Sequence, residues 1–328
     1  MHGRLLILTF ALASFASAQE APKDTVPNYD IPIHGHGQYC NSKDGKIYYE
    51  MEGVGPVVII VAGGPGGGHA SFHPFFSRLA KDHTVVYFDN IGRGRSDRLK
   101  DPKGYTVPRD AEDIEALRKE LGQDKIDVIG HSYGGMPALA YAEKYPEHVS
   151  HLVLSDTLHS AQGFQQNIDS CNAQVQRQYP EVWAQLMEMR KKGVLSGEDK
   201  YGDLYGTGFA DLYVYEMDAE KRLFRSGEKE DGFNVDVYRA MLGPDSEWKV
   251  GGTMKNFDAR PKMKDLHMPV LICVGRFDRV AIPRVSYEMM TLLPKEHSRL
   301  VIFERSGHRP WLEETDAYFN TVGDFLKS

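Results

Sequence analysis

A short apolar strand, Lys125-Ile-Asp-Val-Ile129, runs straight into Gly130-His131-Ser132-Tyr133-Gly134, and this G-x-S-x-G turn constrains the fold more than any other stretch of the chain. The flanking glycines carry no Cβ, so the backbone can reverse sharply from strand to helix and hold Ser132 in a strained conformation with its Oγ exposed. Residues 132–144 then read as a helix, with Met136, Leu139, Ala140 and Tyr141 on its apolar face and Pro146 closing it. The pentapeptide alone arises by chance. A strand before it and a helix after it give it chemical meaning, and they nominate Ser132 as a nucleophile.

Upstream, Pro56-Val-Val-Ile-Ile-Val-Ala62 is a continuous apolar run of the kind found in a strand buried on both faces. It ends in Gly63-Gly-Pro-Gly-Gly-Gly-His69, a loop whose backbone can approach a ligand closely and supply N–H donors to an oxyanion hole. The two donors are assigned to the N–H groups of Gly64 and Tyr133, since Pro65 has none to give. A phosphate-binding loop would require Gly-Lys-Ser/Thr after its glycines, and here the chain reads Gly68-His69-Ala70.

A serine at such a turn needs an acid and a base that follow it in that chain order. Pro269-Val-Leu-Ile-Cys-Val-Gly275 is a buried strand followed by Arg276-Phe277-Asp278, which puts a carboxylate at the carboxyl end of a sheet. Leu300-Val-Ile-Phe303 is the next strand, with Ser306-Gly307-His308 in the loop behind it. Thirteen histidines are present, and strand, glycine and chain order together select His308. In this reading His308 accepts the proton of Ser132 and returns it to the leaving group, while Asp278 fixes the imidazole tautomer.

These segments resemble the α/β-hydrolase superfamily, and more narrowly its proline iminopeptidase and tricorn-interacting aminopeptidase group. The resemblance covers nearly the whole chain after the first residues. It rests on Ala62-Gly63-Gly64-Pro65-Gly66 in place of a His-Gly-Gly-Pro-Gly loop, on Asp89-Asn-Ile-Gly-Arg-Gly-Arg-Ser96, on Gly130 to Gly135, and on the more specific segment Tyr238 to Asp258. It implies an α/β fold with a mostly parallel, doubly wound sheet and an inserted helical cap. It also implies hydrolysis of small amides or of the N-terminal bond of short peptides, without a cofactor.

In that group carboxylates hold the substrate's ammonium, which must be paired once it leaves water. The segment Gly243-Pro-Asp-Ser-Glu-Trp248 makes Glu247 the equivalent of one such glutamate. Where a second glutamate would follow the triad aspartate, this chain has Arg279, a cation that reverses the local sign. Arg279 either faces substrate and favours an anionic group, turns outward, or pairs with Glu247. Ala62 for His, Asn90 for Gln and His131 for Gly are further departures, so the recognition shell differs while the catalytic set is complete. Tyr133, Trp248, Phe277 and Trp311 are candidates for an apolar acyl pocket.

The ends and the composition bound the setting. Met1-His-Gly-Arg4 is basic, residues 5–15 are apolar, and Ala16-Ser-Ala18 is an A-x-A cleavage site, so residues 1–18 read as a signal peptide with the mature chain starting at Gln19 and the product exported, periplasmic or secreted. No segment approaches the roughly 18 apolar residues that a membrane span requires. The 46 acidic and 39 basic residues form no long one-sign run, which argues against nucleic acid or a membrane as partner and leaves a small molecule or short peptide. Cys40, Cys171 and Cys273 show no spacing that demands a bridge, and no metal-ligand spacing stands out.

Strands are expected near 46–52, 56–62, 83–88, 125–130, 149–155, 269–275 and 299–303, with helices near 70–81, 107–121, 132–145, 283–292 and 310–326. The core is thus expected over 19–157 and 263–328 and the cap over 158–262, with Lys200-Tyr-Gly-Asp-Leu-Tyr-Gly-Thr207 as a mobile lip. The leading expectation is a serine hydrolase of the aminopeptidase or amidase kind. A carboxylesterase on the same machinery is the alternative, and a binding protein that keeps the fold without catalysis is the third reading.

Overall fold

Uninterrupted runs of β-branched and aliphatic residues build the middle of the sheet, because a strand covered on both faces has no polar side to alternate with. In the computed structural model, which describes residues 37–223 and 225–328, every residue of β3 (Val57–Val61), β5 (Ile126–His131) and β7 (Val270–Gly275) is buried. The expected signal peptide and its cleavage site lie outside the described residues. With β1 (Gln38–Ser42), β2 (Gly45–Glu52), β4 (Thr84–Phe88), β6 (Val149–Ser155) and β8 (Ser298–Phe303) these form one eight-stranded sheet of order β1-β2-β4-β3-β5-β6-β7-β8. β2 pairs antiparallel with β1 and β4, and every other pairing is parallel.

β3 is the place where the winding reverses. Ile60 pairs with Tyr87 of β4 on one side, and Ile59 with Val128 of β5 on the other. Loops at the carboxyl ends of strands that diverge in this way leave a crevice, the usual position of a ligand site in an open α/β sheet. The Gly63 loop and Ser132 both emerge there.

Alternate residues of each strand feed two cores. Ile59, Val128 and Leu154 join one apolar cluster, and Ile60, Ile129 and Val153 join the cluster on the opposite face. Helix α1 (Val107–Glu120) shows the expected face, burying Ala111, Ile114 and Leu117, and its N-terminus is capped by Thr106 Oγ1, which accepts from Arg109 N. Helix α2 (Gly135–Lys144) follows the serine after a single 3₁₀ turn, Ser132–Gly134.

Between Ser155 and Val270 the chain is helical: α3 (Ala161–Gln178), α4 (Pro180–Lys191), α5 (Asp199–Phe209), α6 (Val235–Leu242) and α7 (Arg260–Met263). Val175, Leu186, Tyr201, Tyr205 and Leu212 give this segment a small core of its own. The stretch expected as a mobile lip is instead most of α5. Tyr201 and Tyr205, one helical turn apart, are buried in that core, and their apolar rings outweigh the weak helix propensity of the intervening glycine.

After β7 come α8 (Pro283–Leu292), α9 (Pro310–Glu313) and α10 (Thr315–Phe325). The helix expected over 310–326 is thus split in two, and the one expected over 70–81 is two 3₁₀ segments, His69–Phe72 and Phe75–Lys81, interrupted at Pro74, which lacks an N–H. β1 was not expected at all. Its short, mostly polar sequence has no apolar run to mark it, and it survives by pairing along β2. The three cysteines are free and buried.

Candidate active site

Ser132 stands at the end of β5 with φ of 56°, in the left-handed region that non-glycine residues rarely occupy. The turn after β5 packs tightly on β3: a Cβ on Gly134 would lie 2.1 Å from Val61 O. Thr157 Oγ1 donates to the Ser132 carbonyl and fixes the turn from the β6 side. A Cβ on Gly63 would meet Ser132 Cβ at 2.8 Å, so only glycine allows the loop after β3 to lie against the serine.

His308 Nδ1 donates to Asp278 Oδ2 at 2.9 Å, which leaves Nε2 toward the cavity that Ser132 lines. The other carboxylate oxygen, Asp278 Oδ1, accepts from Val280 N and Ala281 N at 2.8 Å each, so the acid is held by three donors. His308 is fixed from two sides: its N–H donates to Tyr213 O at 2.8 Å, and its carbonyl accepts from His131 Nε2 at 2.9 Å. Burial, with His308 as a neighbour, pushes the His131 pKa well down, which keeps it a neutral donor. Thus His131, a departure from the resembled pattern, lines the cavity and holds the backbone of the candidate base.

Asp156, at the end of β6, is fully buried with φ of 48°. Its Oδ1 accepts from Gly275 N and its Oδ2 from Ser155 Oγ. Burial, and then the charge of Asp278, raises its pKa well above the carboxylate range. Only its place at a strand end marks it in the sequence.

The Gly63 loop is tied down from below and above. Arg93, fully buried, donates through Nε to Pro65 O at 2.6 Å and grips both oxygens of Asp110 at 2.8 and 2.7 Å. Tyr133 Oη donates to the same Asp110 at 2.6 Å. One ion pair therefore joins the candidate oxyanion loop, α1 and the residue after the nucleophile. From the helical segment, Asn234 N donates to Gly66 O at 2.9 Å.

A cavity of about 540 Å³ lies over these groups, and Gly64, Ser132, His308 and Glu247 all line it. Glu247 Oε1 accepts from Tyr238 Oη at 2.7 Å and from Ser246 Oγ at 3.1 Å, and burial raises its pKa. Phe164, Ile168 and Val235 supply apolar wall, and Glu198, just before α5, joins Asp199 and Asp203 of α5 at the cavity.

Several expected contacts do not occur. Arg279 is not among the cavity residues; its carbonyl accepts from Cys171 Sγ at 3.2 Å, and Val280 and Ala281 line the cavity in its place because the turn that seats Asp278 carries residue 279 away. Trp248 lies outside the cavity too, with its ring 5.5 Å from Trp183, its Nε1 donating to Tyr201 Oη and Arg190 stacked over it. The Tyr133 ring is buried against Asp110 below the site, and Phe277 is partly exposed, stacked on Tyr215. Trp311 does line the cavity floor, yet it is almost wholly buried among Phe72, Phe75 and Phe76.

The alpha/beta hydrolase fold family matches residues 56–315 of the chain. A proline iminopeptidase of Heyndrickxia coagulans is 31% identical over 283 residues, spanning 85% of this chain and 93% of its own length. One from Saccharolobus solfataricus is 30% identical over 298 residues, spanning 86% and 89% respectively. Among solved structures, proline iminopeptidase from Mycobacterium smegmatis superposes with a TM-score of 0.71 at 21% identity, covering 89% of this chain and 97% of that one, a likeness of fold.

Proposed function

Since the chain belongs to the α/β hydrolase fold family, in the group that includes the proline iminopeptidases, we propose that this hydrolase is a serine aminopeptidase that removes the N-terminal residue of short peptides or cleaves small amides. The observation that carries the reading is Glu247, a carboxylate in the same cavity as Ser132 and His308, backed by two hydroxyl donors and not neutralised by Arg279. A carboxylate held in that way suits an α-ammonium group, whose charge repays the desolvation of both partners.

In this mechanism Ser132 Oγ attacks the scissile carbonyl as His308 Nε2 takes its proton. Asp278 holds Nδ1–H and stabilises the imidazolium. The N–H groups of Gly64 and Tyr133 receive the oxyanion. His308 then protonates the leaving amine, the bond to it breaks, and an acyl-enzyme remains on Ser132. Water, deprotonated by His308, releases the product acid and restores the serine. The helical segment over the site restricts it to small or extended substrates. Residues 1–18 support export of the protein.

A carboxylesterase on the same machinery is the second reading, favoured by the apolar wall of Phe164, Ile168 and Val235. Matched aminoacyl anilides and p-nitrophenyl esters separate the two. The aminopeptidase reading expects anilides to be cleaved with kcat/KM within about two decades of the more reactive esters; esters cleaved with anilides untouched would overturn it.

A further inference from the structure

Behind the candidate oxyanion loop lies a second cluster, none of whose residues lines the cavity and for which the hydrolase mechanism has no use. Glu50 of β2 meets His69 and His73, which flank one 3₁₀ turn at i and i+4 directly after the Gly63 loop. All three are at least nine-tenths buried, with fractional exposures of 3%, 2% and 7%. Their ligand atoms lie within 4.8 Å of one another.

The hydrogen bonding around this cluster is incomplete at its centre. Tyr48 donates to Glu50 Oε1, and His69 Nδ1 meets Asp89 Oδ1 at 2.9 Å. Glu50 Oε2 and His73 Nε2 have no hydrogen-bond partner, although burying such groups unpaired is costly. His69 Nε2 stands 3.5 Å from Glu50 Oε1, and His73 Nε2 stands 3.4 Å from Glu50 Oε2. These separations are long for charge-assisted hydrogen bonds, which draw in to about 2.7–2.9 Å. The second, to the oxygen that no donor occupies, is close to the edge of a tetrahedron with metal–nitrogen arms of about 2.0–2.1 Å, which is roughly 3.4 Å.

The surroundings fit the same geometry. Asp89 holds His69 through Nδ1, which directs Nε2 inward, and a carboxylate behind a ligating imidazole is the common outer partner of a metal-bound histidine. Two imidazoles and one carboxylate, of mixed softness, suit zinc rather than calcium or magnesium, which take oxygen. The cluster has no local sequence mark, because Glu50 comes from a distant strand and His69-x-x-x-His73 alone does not say which way its rings turn.

We propose that Glu50, His69 and His73 form a zinc site that clamps β2 to the segment leaving the oxyanion loop. The ion would carry a structural role, joining the loop's exit to the sheet without touching substrate.

The test uses the whole protein stripped with a chelator, moved into chelator-free buffer and titrated with zinc sulfate. One equivalent is expected to bind by calorimetry, with the Tm rising by roughly 5 °C at a hundredfold excess over Kd. Glu50→Gln and His73→Asn should each abolish both effects while circular dichroism shows folded protein. Absence of uptake, or uptake unchanged in both variants, would overturn the proposal and leave an ordinary polar cluster. Should the variants fail to fold, anomalous scattering at the zinc edge from zinc-soaked wild-type crystals decides: a peak between the three side chains supports the site, and a peak elsewhere or none refutes it. None of these readouts depends on peptidase activity.

Discussion

Ser132 holds a positive φ that its own side chain does not favour, and the strain is balanced by the close contact of Gly134 with β3 and by Thr157 on the Ser132 carbonyl. Ser132→Ala should therefore fold normally and lower kcat/KM by about 10⁴-fold or more, with loss of labelling by a fluorophosphonate. Asp156 offers a finer test beside Asp278. Burial and the charge of Asp278 raise its pKa and so favour the uncharged form, and asparagine reproduces both the acceptor for Gly275 N and the tolerance of positive φ. Asp156→Asn should keep kcat/KM within about threefold, whereas Asp156→Ala should lose roughly 1–3 kcal/mol of stability by leaving that N–H unpaired. Denaturant unfolding and steady-state kinetics on the two variants check this. A large loss of activity in Asp156→Asn would mean that its charge matters.

Elements were legible in proportion to how local their causes are. β3, β5 and β7 announced themselves as unbroken apolar runs, and α1 by the 3.6-residue apolar spacing of Ala111, Ile114 and Leu117. β1 was hidden because an edge strand owes its existence to its neighbour, and α5 because its glycines spoke for a loop while the packing of Tyr201 and Tyr205 is tertiary. Helix α2 carries a consequence for pH. Glu143 is half-buried with Oε1 unpaired, and burial raises its pKa to about 7. An acid whose folded pKa exceeds its unfolded value of about 4.5 costs nothing below that value, and its penalty grows as pH rises toward 7. Discounted for partial exposure, the penalty at pH 8 is on the order of 1–2 kcal/mol. Glu143→Gln should raise the Tm by about 2–5 °C at pH 8 and leave it nearly unchanged at pH 4 in thermal unfolding. An equal shift at both pH values would contradict this account.

For the whole molecule, chain order and strand ends were enough to bring Ser132, Asp278, His308 and the Gly63 loop to one crevice, because the topology of a doubly wound sheet gathers such loops at the point where β3 separates β4 from β5. Side-chain direction in the helical segment was not legible. Arg279 and Trp248 lie next to site residues in sequence yet turn away from the cavity, and the Arg93–Asp110 pair that braces the Gly63 loop joins positions with no sequence mark of their contact. Of the carboxylates that line the cavity, Glu198, Asp199 and Asp203 are exposed and Glu247 is the least so, so the central claim is recognition of a free amine by Glu247. The most direct measurement is kcat/KM for one aminoacyl anilide with a free and with an acetylated amine, in the wild-type protein and in Glu247→Gln. The account predicts a preference for the free amine of about a hundredfold in the wild type, in line with the 2–5 kcal/mol of a buried charge pair, falling to within a few-fold in the variant. Equal rates on the two substrates in the wild-type protein would contradict it.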